Sequence, residues 1–175
     1  MIGWTDLPAD LTDLVAINRL RAHLPAQAVT ISSDLIRASA TADAICPGLR
    51  LPHDPALREI YFGAWEQRTF ADIEAESAAH IRAFWDEPGQ VRAPGGEGWD
   101  DLTQRVWAAT DRLARVHPDA DIVIVAHFGA ILAALQRALN IAAIQAFAHK
   151  IDNLSVTELT LTPHGWQVGH INHRP

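Results

Sequence analysis

Asp121-Ile122-Val123-Ile124-Val125-Ala126-His127-Phe128-Gly129-Ala130-Ile131-Leu132 is the stretch on which the reading of the fold turns. Its first half is a continuous β-branched run, which predicts a strand over 121–126 buried on both faces, as in a parallel sheet. After His127-Phe128-Gly129 the apolar residues Ile131, Leu132, Leu135 and Leu139 recur at helical spacing. A strand feeding directly into a helix is the unit of α/β architecture, and in open sheets of that kind sites form beyond the carboxyl ends of the strands. His127 stands at such an end.

Working outward, Val29-Thr30-Ile31 is a second β-favouring run, followed by Ser32-Ser33-Asp34, an N-cap cluster for a helix over Leu35 to Ile45. Thr12 is placed to cap an earlier helix carrying Leu14, Ile17, Leu20 and Leu24 and ending before Pro25. Leu49 to Glu59 reads as loop. Helices are expected over Thr69 to Trp85 and Trp99 to Val116, separated by the loop that contains Ala93-Pro-Gly-Gly-Glu-Gly98. Ser155 to Thr162 and Trp166 to Ile171 alternate as a closing pair of strands around Pro163-His164-Gly165. Strands alternating with long helices predict a single α/β domain over 1–175 with one open sheet; no internal repeat or linker interrupts it.

The 175 residues are 49% hydrophobic and 20% charged, enough to bury a core without staples. A net charge of −7 argues against a nucleic-acid surface, while leaving room for one basic pocket that takes a single phosphate. Cys46 is alone, so it reads as a small apolar filler at a helix end rather than part of a disulfide or thiolate site. The opening Met1 to Asp13 has neither the basic nor the apolar region of a signal peptide, and Ala126 to Ala148 is interrupted by His127, Gln136, Arg137, Asn140 and Gln145, which excludes a bilayer span. A cytoplasmic location follows, with no membrane and no nucleic-acid partner.

Three residues stand out chemically. Arg37 falls about one turn into the expected second helix, where a guanidinium adds donors to the positive end of the helix and suits a phosphoryl group; a solvated first-turn arginine has the same local signature. His127 closes a buried strand and Gly129 allows close backbone approach, although a histidine capping the next helix fits the spacing equally. Glu59 lies among Tyr61, Phe62 and Trp65, surroundings that raise a carboxyl pKa and prepare it to donate a proton; a surface pair with Arg58 or Arg68 is the bland alternative. Glu97 reads as loop chemistry. His170 and His173 suggest no third metal ligand, so neither a metal nor a cofactor is expected. Phosphate loops, dinucleotide glycines, HExxH and GxSxG are absent.

The order of the segments is more telling than any one of them. SSDLIRASATA (32–42), LREIYFGAWEQRTF (57–70), RAFWDEPGQVRAPGGEGWDDLTQRV (82–106), DIVIVAHFGAI (121–131) and DNLSVTEL (152–159) resemble the histidine phosphatase superfamily, in particular its small phosphoglycerate-mutase-like and α-ribazole-phosphatase-like members. The resemblance implies a three-layer fold, a central mostly parallel sheet flanked by helices. It implies Arg37 as phosphate-binding arginine, His127 as the pocket histidine that stabilises transition-state charge, and Glu59 as proton donor to the leaving group. No metal or other cofactor is implied, and the partner would be a small phosphorylated metabolite. Phe128, where a small residue commonly follows the histidine, and Gly98, where serine is usual, depart from the pattern.

The main departure lies ahead of Gly3-Trp4-Thr5-Asp6. Family members carry there an internal strand ending in Arg-His-Gly, whose histidine is phosphorylated, and these residues include no such motif. Met1 is therefore expected to be an internal methionine, from a misassigned start or an engineered truncation, or else the mark of a degenerate member. The fold is expected to lack its first strand, leaving ladder groups without partners at about 1 to 3 kcal/mol each. The expected activity is phosphomonoester hydrolysis through a phosphohistidine in a full-length form, the truncated chain being inactive for lack of an in-line nucleophile. A non-catalytic phosphate- or partner-binding pseudoenzyme is the alternative. A phosphoglycerate mutase is disfavoured, because the chain has little room for the enclosing insertions of mutases. Oligomeric state is not legible.

Overall fold

The computed structural model describes residues Met1–Pro175. In chain order its elements are α1 (Leu14–His23), β1 (Val29–Ser32), α2 (Ile36–Ile45), α3 (Phe70–Asp86), α4 (Trp99–Val116), β2 (Ile122–Val125), α5 (Phe128–Leu139), α6 (Ala143–Ala146), β3 (Leu159–Thr162) and β4 (Gly165–Val168). The two β-branched runs find each other as a parallel pair, with Val29 opposite Ile122 and Ser32 opposite Val125. Ile31, Ile122 and Ile124 pack with Ala109 and Leu113 of α4, while Val125 packs with Ile17, Leu20 and Ile45 of α1 and α2. Helices thus cover both faces of the pair, the expected three layers.

The expected single sheet is two separate pairs: β3 and β4 form an antiparallel hairpin that does not join β1–β2. The hairpin starts later than the alternation suggests, its approach held by a lone bridge between Val156 and His173. The register turns the backbone groups of Ile122 and Ile124 away from β1, and no strand lies on that side of β2. All four β2 residues are accordingly half-buried, not buried on both faces as the β-branched run predicts. The far edge of β1 is covered: Thr30 exchanges bonds with Leu49 and Leu51 in the loop that follows α2.

The largest core cluster joins Ile60, Phe62 and Trp65 with residues of α3, α4 and α5. Leu102, Leu132 and Leu135 are fully buried in it, and truncating any of them to alanine costs about 2 to 5 kcal/mol. Two helix starts differ from expectation. The α1 cap is Asp13, whose carboxylate accepts from Ala16 N; the Thr12 hydroxyl donates to Asp10 instead. The Ser32-Ser33-Asp34 cluster does not cap α2, which begins at Ile36 and takes its cap from Asp6 Oδ1, 2.7 Å from Ile36 N. Thr69 and Asp72 form a reciprocal capping box on α3, which is interrupted by non-helical backbone at Ser77.

Candidate active site

β1 and β2 end side by side, so the residues that follow them share one edge. Ser33 continues the ladder with its N–H on Val125 O at 3.3 Å, and its hydroxyl lies 2.7 Å from His127 Nε2. Both side chains are buried. His127 is the residue before α5, and its ring makes no cap bond to that helix, which disposes of the capping alternative. Burial, with the charges of Arg37 and Arg105 nearby, pushes the imidazole down to about 3, only partly opposed by Asp34. His127 is therefore neutral at neutral pH when no anion is bound, rather than a standing cation.

Glu59 is buried beneath the first turn of α5. Its Oε2 accepts from Gly129 N at 3.0 Å and its Oε1 from Ile60 N at 2.8 Å. Burial raises its pKa above the usual glutamate value, against the pull of those two amides and of Arg105 and Arg37. The close approach that Gly129 permits is that of Glu59 itself: a Cβ at 129 would stand 2.2 Å from Glu59 Oε1. The surface-pair alternative for Glu59 fails, because Arg58 is taken by Asp34 and Arg68 by Glu76. Tyr61 and Trp65 are not the rings beside the carboxyl; Tyr61 stacks on Trp4 and Trp65 packs against His80 and Phe84.

Arg37 is the second residue of α2 and lies close enough to both His127 and Glu59 for their charges to be felt mutually. Its Nη2 donates to Gly3 O at 2.6 Å and its Nη1 to Thr5 O at 3.0 Å. Two of the five guanidinium N–H donors are used in this way, and the rest remain for another acceptor. The segment that receives them is itself fixed by Glu66, whose carboxylate takes the amides of Gly3, Trp4 and Thr5, the Thr5 hydroxyl and the Phe62 amide. A side chain at Gly3 would collide with Ile60 O at 2.1 Å.

Several contributors escaped the sequence reading. Arg105 forms a two-point pair with Glu97 and donates to the carbonyls of Ala56, Arg58 and Glu59, while Glu97 also accepts from Tyr61 N. Glu97 is thus more than loop chemistry: with Arg105 it clamps the stretch that carries Glu59. Arg58 stacks over Trp4 with its charge 4.6 Å from the ring centre and makes a two-point pair with Asp34. No short-range pattern announces these partners, since 58 meets 34 and 105 meets 56–59 only after folding. His23 lies against His173 with the rings tilted at 48°, and His173 also neighbours His170, yet no group of three ligand-type side chains in the structure is arranged to hold a metal ion.

The arrangement offers donors, a polarisable imidazole and a carboxyl kept protonated more readily than usual, all at one edge. Known proteins resemble the chain that carries it. A bifunctional protein of Mycobacterium tuberculosis is 36% identical over 115 residues, 65% of this chain but 31% of that protein, so this chain spans about a third of that relative's length. An adenosylcobalamin/alpha-ribazole phosphatase of Salmonella typhimurium is 29% identical over 138 residues, covering 78% of this chain and 68% of that one. The solved structure of a mycobacterial glucosyl-3-phosphoglycerate phosphatase superposes with a TM-score of 0.83 at 26% identity, over 100% of this chain and 92% of that one. The sequence profile of the histidine phosphatase superfamily (branch 1) runs across residues 2–174, and it is to that superfamily that this chain belongs.

Proposed function

We propose that this edge binds the phosphoryl group of a small phosphorylated metabolite, and that in a full-length form carrying the nucleophilic histidine it is the site of a phosphomonoester hydrolase working through a phosphohistidine. Arg37 supplies fixed donors to the phosphoryl oxygens. His127 accepts a proton as the anion binds and then holds negative charge as it develops in the transition state. Glu59, protonated more readily than an ordinary glutamate, donates its proton to the departing oxygen. The observation that carries the reading is the Ser33–His127 contact at 2.7 Å, which brings the end of β1, and so the helix of Arg37, against the histidine that follows β2.

The nucleophilic histidine is the missing actor. Arg-His-Gly occurs nowhere in these 175 residues. Of the other histidines, His53 is tied to Ser32 and Arg50. We propose that Arg37, His127 and Glu59 hold phosphate and do not turn it over unless that nucleophile is supplied. The alternative role, a non-catalytic phosphate or partner binder, uses the same pocket and differs only in turnover. A cytoplasmic location belongs to the proposal; no helix is long and apolar enough to cross a membrane.

Titration calorimetry with inorganic phosphate tests the assignment. Binding is expected to take up protons at pH 7, because His127 starts neutral, and to weaken at least about tenfold in Arg37→Ala, the loss of one charge-assisted contact. Unchanged affinity in both Arg37→Ala and His127→Ala would remove the assignment. An aryl phosphate is expected to be hydrolysed at a negligible rate; fast turnover abolished by His127→Ala would mean that a replacement nucleophile exists.

A further inference from the structure

We infer that the group esterified to the phosphate carries an aromatic ring system, which seats in a cleft of aromatic side chains opening onto Glu59. The inference rests on the phosphoryl reading of the edge and deepens it by naming the class of leaving group. Phe62, Phe84, Trp85, Trp99, Phe128 and Phe147 line this cleft, and Glu59 is the one charged residue in its wall. They come from the loop after Glu59, the end of α3, the start of α4, the start of α5 and the turn after α6.

The rings lock one another in place. Phe147 meets Trp99 edge-on at 4.6 Å and Trp85 at 6.0 Å, and Trp85 meets Phe84 edge-on at 5.1 Å. Phe62, Phe84 and Trp99 form a buried floor, whereas Phe128 is 48% exposed at the rim, directly after His127. An apolar ring held in water at the mouth of an aromatic cleft is what a flat apolar ligand covers with gain, and stacked or edge-on ring pairs add about 0.5 to 1.5 kcal/mol beyond burial. The indole N–H of Trp99 is already spent on Gln136 at 2.7 Å, so the polar groups left in the wall are the indole N–H of Trp85 and the Glu59 carboxyl, few for a hydroxyl-rich group. A sugar or a glycerate would leave its polar groups unpaired there, at a cost of about 1 to 3 kcal/mol each, and a second carboxylate would face Glu59. An aryl group has no such polar groups to strand: the void of about 50 Å³ takes one edge of the ring, the rest covers exposed Phe128, and the ester oxygen is then directed toward the Glu59 carboxyl.

The test uses the 175-residue protein and four probes: 1-naphthyl phosphate, methyl phosphate, inorganic phosphate and 1-naphthol. Tryptophan fluorescence reports the cleft directly, since Trp85 and Trp99 line it, and calorimetry gives the affinities. 1-Naphthyl phosphate is expected to bind at least about tenfold more tightly than methyl phosphate. That ratio is expected to fall at least about fivefold in Phe128→Ser and in Phe147→Leu; the first of these alters an exposed side chain and leaves the fold intact by circular dichroism. Equal affinity for the two esters, or a ratio preserved in both variants, overturns the inference while phosphate binding stands. If 1-naphthol binds with the same sensitivity to Phe128→Ser but neither methyl phosphate nor phosphate binds, the cleft stands and the phosphoryl reading fails. If no probe binds, both fail.

Discussion

Glu59 and Glu66 sit seven positions apart on one connection, both accept backbone amides, and they end in opposite electrostatic states. Glu59 lies buried under α5 with two amide donors, and burial prevails, raising its pKa. Glu66 is also penalised by burial, but the Thr5 hydroxyl and the amides of Trp4, Thr5 and Gly3 outweigh it and hold the carboxyl below its usual range. Donor count set against desolvation therefore decides which carboxyl keeps a proton to give and which stays an anion that anchors chain. The region around Glu66 is scaffold, fixing the carbonyls that Arg37 grips; the region around Glu59 lines the proposed site.

The contrast breaks most severely at Gly129. Gly129→Ala places a methyl where Glu59 Oε1 now lies, 2.2 Å from the new carbon. The carboxyl must leave its amides or α5 must shift, and a loss of about 3 kcal/mol or more is expected in urea unfolding. Gly129→Ala in the Glu59→Ala background should recover much of that loss, which tests whether the clash is the cause. Next in size is Glu66→Ala, which strands several amides at once; about 2 kcal/mol is expected, with faster hydrogen exchange confined to residues 3–5 and 62.

The pH dependence of the two glutamates sharpens the contrast, because their signs oppose. Glu66 has a folded pKa below the ordinary glutamate value of 4.5, so its contribution is present above pH 4.5 and is lost as pH falls through the folded value. The stability gap between the wild type and Glu66→Gln should close on acidification below 4.5. Glu59 has a folded pKa above 4.5, so its contribution is full below 4.5 and is lost as pH rises. The gap to Glu59→Gln should shrink on the alkaline side of that point. His127, lowered from 6.5 to about 3, contributes above pH 6.5 and loses at most about 1.4 kcal/mol per pH unit on the way down; His127→Gln should flatten that slope in urea titrations between pH 6.5 and 5. Parallel pH curves for the two glutamate variants would remove the distinction drawn between them.

The smallest expected effect lies far from the site, at α1. Asp13→Ala should cost about 1 kcal/mol by loss of the cap on Ala16 N, while Thr12→Ala should fall within about 0.5 kcal/mol of the wild type. The two positions are adjacent and both residue types cap helices well, so spacing alone could not choose between them. The same holds for Ser32-Ser33-Asp34, a credible cap by composition that the structure uses differently. Ser33 turns to His127, Asp34 to Arg58, and the task of capping α2 passes to Asp6.

Read without coordinates, the chain already determined its five longer helices to within a few residues and the two β-branched runs that become β1 and β2, and it singled out Arg37, Glu59 and His127. These are written in periodicities of two and 3.6 residues and in an ordered set of motifs, all of which are properties of short segments. Tertiary structure alone decided that Gly129 makes room for Glu59, that Arg37 is anchored by the carbonyls of Gly3 and Thr5, that Arg105 and Glu97 clamp the strand of chain between them, and that six rings from five segments meet over one carboxyl. It also decided that β2 stands half-buried with one edge unpaired. Such contacts join residues tens of positions apart, and their energies depend on burial and on competing donors, neither of which exists until the chain has closed on itself.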